Sequence, residues 1–469
     1  MATLLRQLNR NTAIAIVVGG VIGSGIFMKP ALMAAQLQSP ILLLSVWIIA
    51  GIITLFGALS NAEVAAMFPE TGGQYVFFQK MYGNGFAFIY GWAAFAVFNT
   101  AGNASIAYVF SQYTGYLIDL PRLNSATEQS FTISIPYIGT FFPLQNIGVK
   151  VLTIIVIVLF TAISYRSVQY GGRVQRILTA LKAAAIVLLI GGIFFSGKGA
   201  MSNILQSTTN VPTGWMMLSA YIAALGGAFW AYDGWNNISF VAGEIKEPQK
   251  NIPQSLFIGL SFCIIVYVLV NLAFVYLMPV QQIAASSFIA SDAATIAWGS
   301  LGGVMITLMV MLFVLGTTNA NILATSRVTF AMADNSKLFA WAGKVQPRYK
   351  TPGNALWLNG AWTICLIISG SFDMLTDILI FVSWFFYGMS ALGVFLLRKK
   401  MKDVNRSYKV WGYPIVPAIF VLFTTFFLVV TLVNDISHYR DGQTQVIHSV
   451  LGILITLVGL PIYYISRKK

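Results

Sequence analysis

Apolar runs long enough to cross a bilayer recur along the whole chain, and they leave little room for any other fold. A spanning helix needs roughly 20 mainly apolar residues, and twelve such segments can be placed. They cover 12–36, 40–66, 85–118, 147–166, 175–196, 215–242, 254–279, 297–330, 354–371, 375–398, 413–435 and 446–466. Backbone N–H and C=O groups find no partners in lipid, so the segments are expected to be helices and the protein an all-α integral membrane protein of about 12 transmembrane helices. Only 9% of residues are charged, against about 25% in soluble domains, and no soluble domain has room to fit. Arg6 and Arg10 precede the first run as in a signal peptide. That run is longer than a signal peptide's apolar region and is interrupted by Gly23-Ser24-Gly25, so it reads as a first span.

The net charge of +14 would suit a nucleic-acid binder if it formed one patch. Instead it alternates with the spans. The N-terminus, the even-numbered junctions and the C-terminus carry 22 Lys and Arg, whereas Lys29, Arg122, Lys150, Lys198 and Arg440 are the 5 on the other side. This bias places both termini in the cytoplasm of a multi-pass protein in the cell membrane, with no nucleic-acid partner. Membrane lipid is the expected surrounding, and the basic linker RKKMKDVNRSYKVWGYP is suited to anionic headgroups. Cys263 and Cys365 fall in apolar segments, and His438 and His448 flank one loop. No His, Cys and carboxylate spacing suggests a metal site, and no cofactor motif or catalytic constellation is visible.

Within the first run lies GGVIGSGIFMKP, residues 19–30. Gly costs about 1 kcal/mol inside a helix, so Gly23, Ser24 and Gly25 invite a break. Such a break is tolerated at membrane depth only where freed backbone groups face protein or an aqueous cavity. The alternative is close helix packing, since Gly19 with Gly23 and Gly20 with Ser24 form small-xxx-small pairs. The sixth segment repeats the pattern in GGAFWAYDGWNN, with Asp233, Gly234, Asn236 and Asn237 in mid-span. Spans one and six correspond if the first ten form two halves of five, 1–200 and 201–400. An odd number of spans per half makes the halves inverted, with the binding site at the paired breaks. Residues 401–469, the linker and the last two spans, then look like an appendage.

Chain direction fixes the polarity of each break. The outer half of span one begins near Ser24 with free N–H groups, and its inner half ends near Val21 with free carbonyls. The outer half of span six ends near Trp230 to Asp233 with carbonyls at the same depth. N–H groups on one side and carbonyls on the other suit a zwitterion. Asp233 has two uses: pairing with a cationic substrate side chain, or capping the N–H groups near Asn236 that reopen span six, and its position favours the cap. Lys182 lies inside span five, where an ammonium costs about 3 kcal/mol unless it snorkels or faces a polar interior. Span eight carries Thr317, Thr318, Asn319, Asn321, Thr325 and Ser326, a pattern read first as interhelical hydrogen bonding. After Pro69, Gly72 and Gly73, aromatic residues and Lys80 suggest either an amphipathic interfacial piece or a solvated loop.

VVGGVIGSGIFMKP, FPETGGQYVFF, FWAYDGWNN, AGEIKEPQKNIPQSL, VYVLVNLAF and ILATSRV together resemble the amino acid–polyamine–organocation superfamily. Within it the chain is most similar to the L-type amino acid transporters and their bacterial relatives. The resemblance implies a LeuT-type fold with a 5+5 inverted repeat, helices 1 and 6 broken, and two extra C-terminal helices. It implies sodium-independent amino acid transport, with the substrate amino acid as partner. The carboxylate would lie on N–H groups around Ser24, Gly25 and Ile26 in the Val21-Ile22-Gly23-Ser24-Gly25-Ile26 stretch, and the ammonium on carbonyls at Val21, Trp230 and Asp233. Trp230 would be a lid, Asn236 and Tyr267 would bridge the broken helices, and Lys182 would stand in for a sodium ion between spans five, one and eight. Animal members pair with a glycoprotein through a Cys between spans three and four. The loop 119–146 has none, so no disulfide-linked heavy chain is expected.

The resulting expectation is an antiporter that exchanges neutral L-amino acids by alternating access. A proton-coupled symporter, with cationic amino acids among its substrates, is the alternative, and a non-transporting amino acid sensor is a third reading.

Overall fold

The computed structural model describes residues 6–70, 72–166, 171–334, 339–404 and 406–466, without the side chains of 171–180 and 334. Lys337, Arg467, Lys468 and Lys469, and the side chains of Arg173 and Arg176, which enter the charge bias, lie outside these. The first span is two helices, α1 (Arg10–Val21) and α2 (Gly25–Leu37), meeting at a 41° bend. Asn9 starts α1 by accepting the Thr12 N–H at 2.9 Å. Then come α3 (Pro40–Met67), the short α4 (Gln74–Tyr82), and a third span made of α5 (Asn84–Ala93), a π-helical turn at Ala94–Phe98 and α6 (Asn99–Leu117). The next loop holds α7 (Ser125–Ser130) and an antiparallel hairpin of β1 (Ile133–Ile135) and β2 (Gly139–Phe141).

Next are α8 (Ile147–Arg166), α9 (Gly171–Phe194) and the short α10 (Met201–Leu205). The sixth span is α11 (Gly214–Tyr232), a break, and the four-residue α12 (Asn237–Phe240). After α13 (Pro248–Leu277), the short α14 (Val280–Ala285) and α15 (Ile289–Trp298) precede α16 (Ser300–Asp334). The chain closes with α17 (Gly353–Ser369), α18 (Phe372–Lys400), α19 (Ile415–Arg440), and α20 (His448–Leu457) continuing into α21 (Gly459–Ser466).

Among the described residues, nine helices are long and apolar enough to cross a membrane, and the bent pair α1–α2 makes a tenth. The remaining two expected spans fall on α9 and on α17, which is only 17 residues long. The protein is therefore an all-α, multi-pass membrane protein.

Two expectations change. The stretch after Gly73 is a helix, α4, but it is packed rather than lying free at an interface. Phe77, Phe78 and Met81 are buried, and the Phe78 ring meets Phe86, Tyr90 and Phe386. Nor are the last two spans an appendage. Gly57 of α3 is so close to Phe420 of α19 that a Cβ there would lie 2.5 Å from the ring. Trp92 of α5 donates its indole N–H to the Ile455 carbonyl of α20 at 2.8 Å. The linker is pinned as well: Glu63 of α3, 1% exposed, accepts from Arg398 at 2.7 and 2.9 Å and from the Val410 N–H at 2.7 Å. Arg406 stands 3.3 Å from the same carboxylate. A buried carboxylate is stable only with this kind of multiple partnership.

Candidate functional site

The two breaks lie against each other. Gly20 in α1 touches the turn at Gly234, where a Cβ would come within 2.5 Å of the Gly20 carbonyl; Gly234 also has φ +98°, which disfavours any side chain. On the other side of the break, Gly25 packs on Ala231, and a Cβ at 25 would lie 2.5 Å from its Cα. These glycines let the four half-helices converge. Beside them is a cavity of about 940 Å³ lined by both breaks, α6, α16 and α18. It reaches Leu8, Thr12, Phe240 and Val241 at the ends of α1 and α12, so it opens toward the face where α1 begins. On the opposite side Trp230 separates it from Phe372, whose ring it meets edge-on at 5.2 Å.

Of the residues expected at the site, Val21, Gly23, Ser24, Gly25, Trp230, Asp233 and Asn236 line this cavity. Ile22, Ile26, Tyr267 and Lys182 are buried behind its wall. Tyr267 makes the expected bridge: its hydroxyl lies 2.7 Å from the Val21 carbonyl and 2.9 Å from that of Ala231. One O–H shared between two helix-terminal carbonyls satisfies groups that the breaks leave free, and each carbonyl retains a lone pair. Asn236 does not make that bridge. Its Oδ1 accepts from Asn61 of α3 at 2.9 Å and from Ser239 at 3.2 Å, and Asn61 in turn accepts from Ser390 of α18. It ties span six to spans two and ten.

Lys182, 3% exposed, donates to the Ile22 carbonyl at 3.3 Å and to Thr317 Oγ1 at 2.5 Å. It does not snorkel. The ammonium joins α9, the break in span one and α16.

The expected cap at Asp233 is overturned. Helix α12 begins only at Asn237, its N-cap residue is Asn236, and it has no side-chain cap. Asp233 instead ends α11, and its Oδ1 accepts the Tyr387 hydroxyl of α18 at 2.7 Å. A carboxylate three residues before the N-cap is out of reach of the N2 and N3 donors that capping uses.

Sequence reasoning missed several walls of the cavity. Tyr90, Phe98 and Asn99 line it from the π-helical turn and its flanks, and Tyr387 from α18. The extra residue per turn in a π-helix rotates the rest of the span about its axis, and no local composition marks it. Thr317, Asn321 and Thr325 line the cavity and hydrogen-bond between helices at once: Asn321 donates to Asn103 at 2.8 Å, and Asn103 to Thr325 at 3.3 Å.

Paired broken helices around a solute-sized cavity define a membrane carrier rather than an enzyme. The chain belongs to the amino acid permease family, whose profile matches residues 8–458, within the amino acid–polyamine–organocation superfamily. It is 29% identical to the Serine/threonine exchanger SteT of Bacillus subtilis (strain 168), over 99% of this chain and 98% of that one. It is 31% identical to the Large neutral amino acids transporter small subunit 2 of Mus musculus, over 99% of this chain and 81% of the relative. It is 27% identical to the Cystine/glutamate transporter of Homo sapiens, over 98% of this chain and 85% of that one.

Proposed function

We propose that the protein exchanges neutral L-amino acids across the cell membrane, independently of sodium, by alternating access between two inverted halves, 1–200 and 201–400. Both termini are cytoplasmic in this reading, so the cavity between the breaks is open inward. The observation that carries it is the Lys182 ammonium on the Ile22 carbonyl and Thr317 hydroxyl, a cation already occupying a carbonyl-and-hydroxyl site between three spans. The substrate carboxylate would take the N–H groups that open α2 at Gly25 and Ile26. Its ammonium would take remaining lone pairs on the Val21 and Trp230 carbonyls. The exchanger among the similar proteins supports exchange, and loop 119–146, without cysteine, supports function without a disulfide-linked heavy chain.

Uptake of labelled L-serine into proteoliposomes is expected to need internal amino acid and to be unchanged when choline replaces sodium. A strict sodium requirement sinks the reading, and uptake driven by a proton gradient into empty vesicles establishes the symporter instead.

Asp233 favours a second reading of substrate range. Its carboxylate lines the cavity and has a tyrosine rather than a cation as its side-chain partner, so a cationic substrate side chain would find an acceptor there. In that case excess L-arginine competes with labelled serine in the wild type, and Asp233→Asn weakens this competition about tenfold, the scale of one charge-assisted hydrogen bond. Poor competition by arginine in both proteins restricts the range to neutral amino acids.

A further inference from the structure

On the side of Trp230 away from the cavity lies a charged contact whose residues do not line the cavity. Lys29 of α2 is 2% exposed, and its ammonium reaches Asp373 Oδ1 at 3.1 Å and Thr376 Oγ1 at 2.9 Å, both in the first two turns of α18. The same nitrogen stands 4.7 Å from the centre of the Phe372 ring and 5.6 Å from that of Trp230. Moving outward from the cavity, one meets Trp230, then Lys29 with Phe372, then Asp373, which is 59% exposed.

This arrangement is more than a surface ion pair. A buried ammonium is tolerated only with close partners, and here they come from two places: the face of the lid in α11 and the start of α18. Trp230 is thus gripped between the Lys29 ammonium of α2, which also binds Asp373 and Thr376 of α18, and the Phe372 ring, which belongs to α18. Opening the cavity to this face needs α18 to part from α2 and α11, which separates the ammonium from its carboxylate, its hydroxyl and the Phe372 ring in one movement.

We propose that Lys29 is a positioning residue for transport: its bridge to Asp373 holds the Trp230 lid closed and sets how the protein divides between states open to either face. The proposal rests on the alternating-access reading. A contact present in one state and broken in the other shifts the equilibrium by its differential energy. It therefore alters apparent affinity in opposite directions on the two faces, because each face reads the fraction of protein competent to bind from that side.

The test uses purified full-length protein reconstituted in one orientation, with the half-saturation concentration for L-serine exchange measured from each face. The variants are Lys29→Met, Lys29→Arg, Asp373→Asn and the double Lys29→Met/Asp373→Asn. Lys29→Met and Asp373→Asn are each expected to tighten half-saturation on the Trp230 side and weaken it on the other. Their ratio should change about fivefold or more, the lower range of couplings between sites. Lys29→Arg keeps a cation that can pair and stack and should hold the ratio near wild type. The double variant should match either single one, because the two residues act as one bridge. Gel filtration and thermal melting in detergent accompany each variant, and Asp373→Asn, at an exposed position, keeps the test open if Lys29→Met folds poorly. An unaltered ratio in Asp373→Asn, or parallel weakening on both faces as from a general packing defect, overturns the proposal. Wild-type protein that moves no serine overturns the exchange reading and the latch together; wild-type exchange with an unmoved ratio overturns the latch alone.

Discussion

Lys182→Ala is expected to reduce exchange by about a hundredfold while leaving a folded, monodisperse protein; that factor corresponds to about 2.7 kcal/mol, within the range of about 1.5–3 kcal/mol for a hydrogen bond to a charged group. The ammonium is the donor for the Ile22 carbonyl at the break in span one and for Thr317 in α16. Without it the carbonyl loses a buried partner, and the break loses its tie to α9 and α16. Folding should survive, since removing a charge from membrane depth relieves about 3 kcal/mol of insertion cost. The measurement is serine exchange in proteoliposomes beside a melting curve in detergent. A wild-type rate with an unchanged melting temperature would make Lys182 a packing residue.

The second large effect concerns a residue with no side chain. At Gly25 an alanine Cβ would lie 2.5 Å from the Ala231 Cα and 2.6 Å from its Cβ. These atoms cannot rotate away, so α2 and α11 must separate at the point where α2 opens. Overpacking of this kind costs about 1–3 kcal/mol, and it moves the N–H groups assigned to the substrate carboxylate. Gly25→Ala is expected to raise half-saturation for serine about tenfold or more. Gly226→Ala is the control: its nearest neighbour beyond its own helix is the Phe427 ring at 3.8 Å, an ordinary contact, and exchange should be unaltered. If the two variants behave alike, close approach at Gly25 has no bearing on binding.

The features legible in the sequence are those whose cause is local. Apolar length marks the spans, and the Gly-rich interruptions at 23–25 and 233–237 place both breaks, since a helix cannot run through them cheaply. What escaped depends on partners distant in sequence. Asp233 read as a cap because Asn236 and Asn237 come soon after it, yet its hydroxyl donor, Tyr387, is 154 residues away. Lys29 counted only as one positive charge on the far side; its carboxylate is 344 residues along the chain. The π-helical turn at Ala94–Phe98 has unremarkable composition, so the turning of Asn99 into the cavity could not be foreseen. Span eight was legible in its residues but not in their use, because a threonine that bonds a neighbouring helix and one that lines a cavity look alike until the helices are placed.

The anchoring of Glu63 has a consequence for how the molecule is made. The carboxylate is synthesised 335 residues before Arg398, a delay of roughly 20–70 s at ordinary translation rates. Throughout that interval the Met67 end of α3 carries a charge without the two arginines and the Val410 amide that later surround it. It must wait at the water boundary, because an unpartnered carboxylate is costly to bury. The seating of α3 against α18 is therefore a late event of biogenesis, and a ribosome stalled before Arg398 should leave a nascent chain whose residue 63 is still open to aqueous reagents.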